Sequence, residues 1–279
     1  MDGSFLDAGT VSELRLGVTA LAALAAAGEA RERALVYIAA HQGADGFISD
    51  LRHGRKWGGW EHAYATFAMA GSPGTRDPFE RAVRWILSAQ NADGSWTYCP
   101  EDPRLVQSAL HCSMMEALLL ARRRGMDIPD TALARATAFL KMQELDGGFR
   151  NQSASASHEP TAVAIAALQA AGEHPSLDYL QRELPANFLA NLPETAGGGQ
   201  SGGYPRGLRL YGMLWTSIAY CRSGDREWSA AWQVEIADGL LEHQNPDGSW
   251  QGWFGPEYGT AMAVLTLTCE EGHSNVFTE

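Results

Sequence analysis

The chain has 279 residues, of which 45% are hydrophobic, 19% are charged and 30 are Gly; its formal net charge is −12. That balance excludes a phosphate-backbone partner, which needs a basic footprint, and docking on anionic lipid through a polybasic patch. The apolar content supplies a core and excludes a disordered chain, so the abundance of Gly, a poor helix former, has to be explained.

In chain order, the first element is an Ala-rich, nearly uncharged helix over 13–27. It belongs to an apolar run between Arg15 and Glu29, shorter than the ~20 residues a membrane span needs. The run lacks a basic flank and a cleavage site, so it is not read as a signal peptide, and the compartment stays open. Five more helices of this kind follow, at about 60–70, 106–121, 159–171, 210–222 and 258–269. Helices that are apolar on all sides are buried. Gly28, Gly71, Gly125, Gly172 and Gly224 stand at the ends of five of the six.

Between them lie amphipathic helices at about 30–42, 77–90, 130–143, 176–191 and 226–244. Pro78 and Pro129 mark the starts of two of these. Each outer helix except the fourth runs into one short pattern. It reads Gln42-x-x-Asp45-Gly46-Phe47 and Gln90-x-x-Asp93-Gly94-Ser95-Trp96 in the first half. It returns as Gln143-x-x-Asp146-Gly147-Gly148-Phe149 and Gln244-x-x-Asp247-Gly248-Ser249-Trp250. The period is roughly 50 residues with one step doubled, which signals a repeat architecture. The Gly-rich stretch Gly197–Tyr204 falls where a decayed copy belongs. In each copy the Asp-Gly pair makes a tight turn, the aromatic folds back and the Gln amide meets the free helix end. Most of the glycines therefore punctuate helices and do not interrupt them.

Buried helices alternating with amphipathic ones predict two concentric layers. Six inner helices close into a ring, so the predicted fold is all-α, an α/α toroid of five to six repeats forming one domain over residues 1–279. One outer helix is missing before the first inner helix. Cys99, Cys112, Cys221 and Cys269 show no CxxC spacing. Three of them sit in apolar helical stretches, where Cys packs as a small hydrophobe, and nothing demands disulfides or a cofactor.

The Gln-x-x-Asp-Gly-Ser-Trp pattern resembles the QW repeats of squalene and oxidosqualene cyclases and of protein prenyltransferase β-subunits. Asp93-Gly94-Ser95-Trp96 and Tyr258-Gly259-Thr260-Ala261-Met262-Ala263 look like the stand-alone bacterial proteins of this kind. The resemblance covers nearly the whole chain and implies the toroid more strongly than an activity. It implies a central cavity for an isoprenoid or other apolar small molecule, with polar chemistry where the inner helices begin. The zinc ligands of the prenyltransferases would fall at Arg209, Tyr211 and Gly259, none of which keeps the family's ligand, so zinc-dependent protein prenylation is not expected. The acid motif of the squalene-type cyclases resembles Ser157-His158-Glu159-Pro160-Thr161-Ala162. Glu159 then falls at the proton-donating acid with His158 beside it, although the flanking acids are absent.

The rim candidates are Trp60, Glu61, His62, Asp102, His111, Arg209, Tyr211 and Tyr258, with Tyr64 and Trp215 deeper. Aromatic walls suit apolar chains and stabilise carbocations. Glu61, His62 and His111 are candidates for a metal or acid–base group with Glu159 across the ring. Arg52, His53, Arg55 and Lys56, with Arg206 and Arg209, are the candidates for a diphosphate. Two other function classes fit the same residues. One is a non-catalytic binding or interaction toroid, alone or inside a larger multidomain chain, with Trp57, Trp60, Trp253 and Phe254 as a contact patch. The other is a polysaccharide-active α/α-toroid lyase.

Overall fold

A computed structural model describes residues 3–5, 14–50, 58–99, 102–151, 154–182, 185–190, 192–194 and 208–269. The side chains of Cys99 and of residues 102–105 are excepted. The described structure is built almost wholly of α-helices and divides into two compact units, Met1–Glu144 and Leu145–Glu279.

The first unit alternates buried and half-exposed helices. The buried set is α1 (Arg15–Ala25), α3 (Gly58–Met69) and α5 (Ser108–Arg123). Every residue of α3 but Trp60 is buried, which follows from its nearly uncharged sequence. The outer set is α2 (Gly28–Ala40), α4 (Arg76–Ser88) and α6 (Asp130–Lys141). Helix α4 buries Phe79, Ala82, Val83 and Ile86 and turns its charges outward. Helix α3 packs between α1 and α5, and each outer helix lies against the inner layer.

The second unit repeats the plan. Its inner helices are α7 (His158–Ala170), α10 (Arg209–Ser223) and α12 (Pro256–Leu267). Helix α10 packs between α7 and α12. The outer layer is α8 (Asp178–Gln181), α9 (Pro185–Leu189) and α11 (Arg226–Glu242). The expected helix over 176–191 is thus two short helices, because Pro185 has no N–H to continue a helical ladder and starts a helix of its own. Short antiparallel strands were also outside the sequence reading. Thr97–Cys99 pairs with Asp102–Val106, and Gly148–Arg150 pairs with Ala156–Ser157. Both connect a turn to the next inner helix.

The recurring turn has a defined bonding scheme. The Gln42, Gln90 and Gln244 amides donate to the carbonyls of Gly46, Gly94 and Gly248 at 2.8–3.0 Å. Asp45, Asp93 and Asp247 each accept from the backbone N–H two residues on. The Trp96 and Trp250 indoles donate to the carbonyls of Ile86 and Leu240, both at 2.7 Å. Two copies also reach the following outer helix. Gln42 donates to the Pro78 carbonyl at 2.8 Å and Gln90 to that of Ala132 at 2.9 Å. The copy at Gln143 departs from this scheme, since its amide bonds Phe139 and the left-handed residue there includes Asp146 at φ 54°. The stretch 197–204 lies outside the described residues.

Gly94 and Gly248 separate backbone geometry from packing. Both hold positive φ, 91° and 84°. A Cβ on Gly94 would run into the Arg135 backbone, whereas one on Gly248 would meet nothing closer than the Gln244 amide at 3.9 Å. Gly248→Ala is expected to cost about 1 kcal/mol through φ alone, and Gly94→Ala about 3 kcal/mol. Urea denaturation of the two variants checks the difference; equal losses would mean that contact with α6 contributes nothing.

Candidate functional site

The start of α3 is set in place by small residues. A Cβ on Gly59 would lie 2.7 Å from Leu110 and 2.8 Å from the Tyr98 carbonyl, so only Gly lets α3 approach the start of α5 this closely. Glu61, in the first turn, is 2% exposed. Its Oε2 accepts from the Ser49 hydroxyl at 2.7 Å and from the Asp50 N–H at 3.0 Å. Its Oε1 is buried without a partner. Burial pushes this carboxyl up to about 7, with the Ser49 and Asp50 bonds opposing the shift.

His62 is committed to the framework. Its Nδ1 accepts from the Ile48 N–H at 3.1 Å, which assigns the proton to Nε2, 3.2 Å from the Ala82 carbonyl of α4. The ring stacks on Phe47 and meets the Trp85 edge. Desolvation lowers it to about 3, so it is neutral. Thr161 and Thr260 play the same part in later copies, accepting from the N–H groups of Phe149 at 2.8 Å and Trp250 at 3.1 Å. His111 donates from Nε2 to the Ala136 carbonyl of α6 at 3.0 Å, and burial lowers it to about 4. Both nitrogens of His62 are therefore taken, while His111 keeps a buried Nδ1 without a partner. Beside them the Trp60 and Tyr64 rings stack at 6.0 Å, with Tyr64 buried and Trp60 half-buried.

In the second unit, charged groups converge at the starts of α7 and α10. The His158 Nε2 lies 2.9 Å from the Thr216 hydroxyl, and its ring meets the Phe188 edge. Desolvation, then the Arg209 charge, lowers His158 to about 3. The Arg209 guanidinium sits 5.4 Å from the centre of the same Phe188 ring. Glu159 is buried, and its Cγ lies 3.2 Å from where a Cβ on Gly212 would stand. The missing side chain on α10 is what gives Glu159 its space. Tyr211 and Trp215 continue along α10 as a tilted pair, Trp215 fully buried. Tyr258, in the first turn of α12, is buried against Phe254. Trp253 and Phe254 are half-buried.

One residue of this cluster was missed by sequence reading. Glu194 is 1% exposed and bridges two elements. Oε1 accepts from the Leu210 N–H of α10 at 2.7 Å and Oε2 from the Trp253 N–H at 2.9 Å. Burial pushes it up to about 7, opposed by its backbone bonds and helped by the Glu159 charge. No local signature marks it, because a capping carboxylate ordinarily lies within three residues of the helix it caps. Here sixteen residues separate Glu194 from Leu210.

The remaining candidates are placed as follows. Asp102 and Arg104 are described only as strand backbone. Residues 52–57, Glu101 and Arg206 lie outside the described residues. Among the described residues no group of three or more His, Cys, Asp or Glu side chains could hold a metal ion. Among them also, no helix is long and apolar enough to cross a membrane.

The buried acids and histidines act oppositely on stability. Glu61 and Glu194 bind more protons folded than unfolded between 4.5 and about 7, so their burial makes stability fall as pH rises through that window. His62, His111 and His158 are held below their ordinary 6.5, so stability falls as pH drops from 6.5 through about 4 to 3. Glu61→Gln removes one of the two acid contributions. Its unfolding free energy, followed by denaturant titration from pH 4.5 to 7, is expected to lose up to about 3 kcal/mol less than the parent's. Parallel curves for the two proteins would rule out a buried, neutral Glu61.

No protein-family model matches the sequence, and no curated protein matches it by sequence. Solved structures do resemble it. The type II terpene cyclase MstE from Scytonema is 14% identical, with a TM-score of 0.59 over 98% of this chain and 94% of that one. A substituted form of that cyclase is described in complex with geranylgeranyl dihydroxybenzoate as substrate. The ent-copalyl diphosphate synthase from Streptomyces platensis is 19% identical, with a TM-score of 0.56 over 92% of this chain and 49% of that one. An α-amylase from Clostridium perfringens is 11% identical, with a TM-score of 0.62 over 96% and 92%. At these identities the likeness establishes the fold class alone, an all-α toroid of the kind terpene cyclases use.

Proposed function

We propose that residues 1–279 form one α/α-toroid domain that receives an isoprenoid or other apolar chain and acts on it as a terpenoid cyclase does, with Glu159 as the acid. The observation that carries this reading is fold likeness to a type II terpene cyclase across 98% of the chain. The cluster at the starts of α7 and α10 supports the assignment of roles. Glu159 is buried at Gly212, the position that the Phe188 ring also approaches, and an aromatic face suits a carbocation. Glu194 is set aside as the acid, because it is 1% exposed and both its oxygens accept backbone N–H groups. It is a positioning residue for the start of α10. His158, held neutral by burial, orients on Thr216.

Catalysis in this reading moves a proton from the Glu159 carboxyl to an alkene carbon, and the ring that closes later returns a proton to a base. An acid placed this way is worth about 10²–10⁴ in rate. The full-length protein is expected to gain thermal stability with geranylgeraniol or squalene and to convert one of them to a cyclic product seen by gas chromatography–mass spectrometry. Glu159→Gln should keep the binding shift and lower turnover at least ~100-fold. A Glu159→Gln protein with undiminished turnover would remove Glu159 from the acid's role. Failure of every isoprenoid probe to bind would overturn the ligand class.

A second reading rests on the likeness to the α-amylase and on the paired acids Glu159 and Glu194. It makes the protein a carbohydrate-active toroid, with the carboxyls flanking a glycosidic bond. Stabilisation by maltooligosaccharides and none by isoprenoids would favour it. Binding of isoprenoids without turnover would favour a non-catalytic toroid.

A further inference from the structure

The C-terminal ends of α10 and α12 bring two thiols together. Cys221, in the last turn of α10, has its Sγ 3.6 Å from the Sγ of Cys269, two residues beyond the end of α12. Both are reduced in the structure. Contact at this distance is van der Waals touch, and a disulfide needs the sulfurs to close to about 2 Å. The two Cys also differ in access, because Cys269 is 1% exposed while Cys221 is half-buried. An external oxidant therefore reaches Cys221 first.

The setting argues for a structural bond and against a catalytic dithiol. Both sulfurs lie at helix C-terminal ends, where the carbonyl dipoles disfavour a thiolate. A disulfide carries no charge and escapes that penalty. The chain it closes runs from α10 through the whole of α11 and the Trp250 turn to the end of α12. Cross-linking a loop of that length removes conformational freedom from the unfolded chain. Cys112 is a useful contrast, being fully buried within α5 and pushed up by desolvation. The sequence alone separates Cys221 and Cys269 by 48 positions and gives no reason to pair them.

We propose that Cys221 and Cys269 are a modification site, a thiol pair that a small-molecule disulfide such as glutathione disulfide converts to a disulfide tying α12 to α10. In the first step the Cys221 thiolate attacks the external disulfide, forms a mixed disulfide and releases one glutathione thiol. In the second step the Cys269 sulfur attacks the Cys221 sulfur and expels the second glutathione thiol. Two protein thiols are oxidised by two electrons, the external disulfide is reduced to two thiols, and both thiol protons pass to them.

The test uses the full-length protein, first reduced and then incubated with glutathione disulfide. Intact mass should fall by two hydrogens, and peptide mapping without reductant should find Cys221 joined to Cys269 with Cys112 still alkylatable. The melting temperature should rise by roughly 5–10 °C and return on reduction. Cys221→Ser should lose the bond and the rise, while its reduced form melts close to the reduced parent. Cys269→Ser should instead stop at a lasting glutathione adduct on Cys221. A lasting adduct on the parent, a bond through another cysteine or a bond without a melting shift would each overturn the proposal. None of these readouts depends on the ligand or the activity proposed above.

Discussion

Three of the inner helices depend on one backbone N–H at the end of the Asp-Gly turn before them. At Ile48, Phe149 and Trp250 that group donates to the first turn of an inner helix, to His62, Thr161 and Thr260. The bond joins two levels of structure. Upstream, the turn is fixed to its outer helix by the Gln amide and the Asp carboxylate. Downstream, the inner helix begins where its side chain accepts that N–H. An unpaired N–H buried at this point would cost about 1–3 kcal/mol in each of these three copies, so the registers of α3, α7 and α12 are set by the turns before them. Trp96 and Trp250 reinforce the joint by returning their indole N–H to the outer helix just left.

This joint determines which side chains are committed to backbone bonds. It spends His62 on the framework, holding both ring nitrogens in backbone bonds that keep the imidazole neutral. Neighbouring positions carry buried carboxyls. Glu61 is one residue away and leaves one carboxyl oxygen bare inside the protein. Glu159 is two residues before Thr161 and projects into the space left by Gly212. Framework side chains and buried carboxyls thus sit within one helical turn of each other.

Glu194 shows a second constraint. Helix α10 follows a Gly-rich stretch without the Asp-Gly turn that precedes α3, α7 and α12. Its first N–H groups still need acceptors, and a single buried carboxylate supplies them while also holding Trp253. One side chain does there what a turn does elsewhere. Its raised proton affinity follows from that work, since the backbone bonds only partly offset the loss of water.

Much of the local architecture was legible in the residues. Uncharged, Ala-rich windows became the buried helices, and the Gln-x-x-Asp-Gly spacing at Gln42, Gln90 and Gln244 became turns with the expected amide and carboxylate bonds. The reading failed where a single residue changed the backbone rule, as at Pro185, and where short strands were too brief to carry a period. The site was only half legible. Resemblance to the acid motif of squalene-type cyclases singled out Glu159 and His158 at the start of an inner helix, but nothing local named Thr216, Phe188 or Glu194 as their surroundings. The sequence by itself determined the helices, their inner or outer character and their turns, because those rest on contacts within a few residues. Only the tertiary structure decided which carboxyls lose water, which histidines are spent on carbonyls and which thiols touch. Those properties depend on groups that burial brings together from distant parts of the chain.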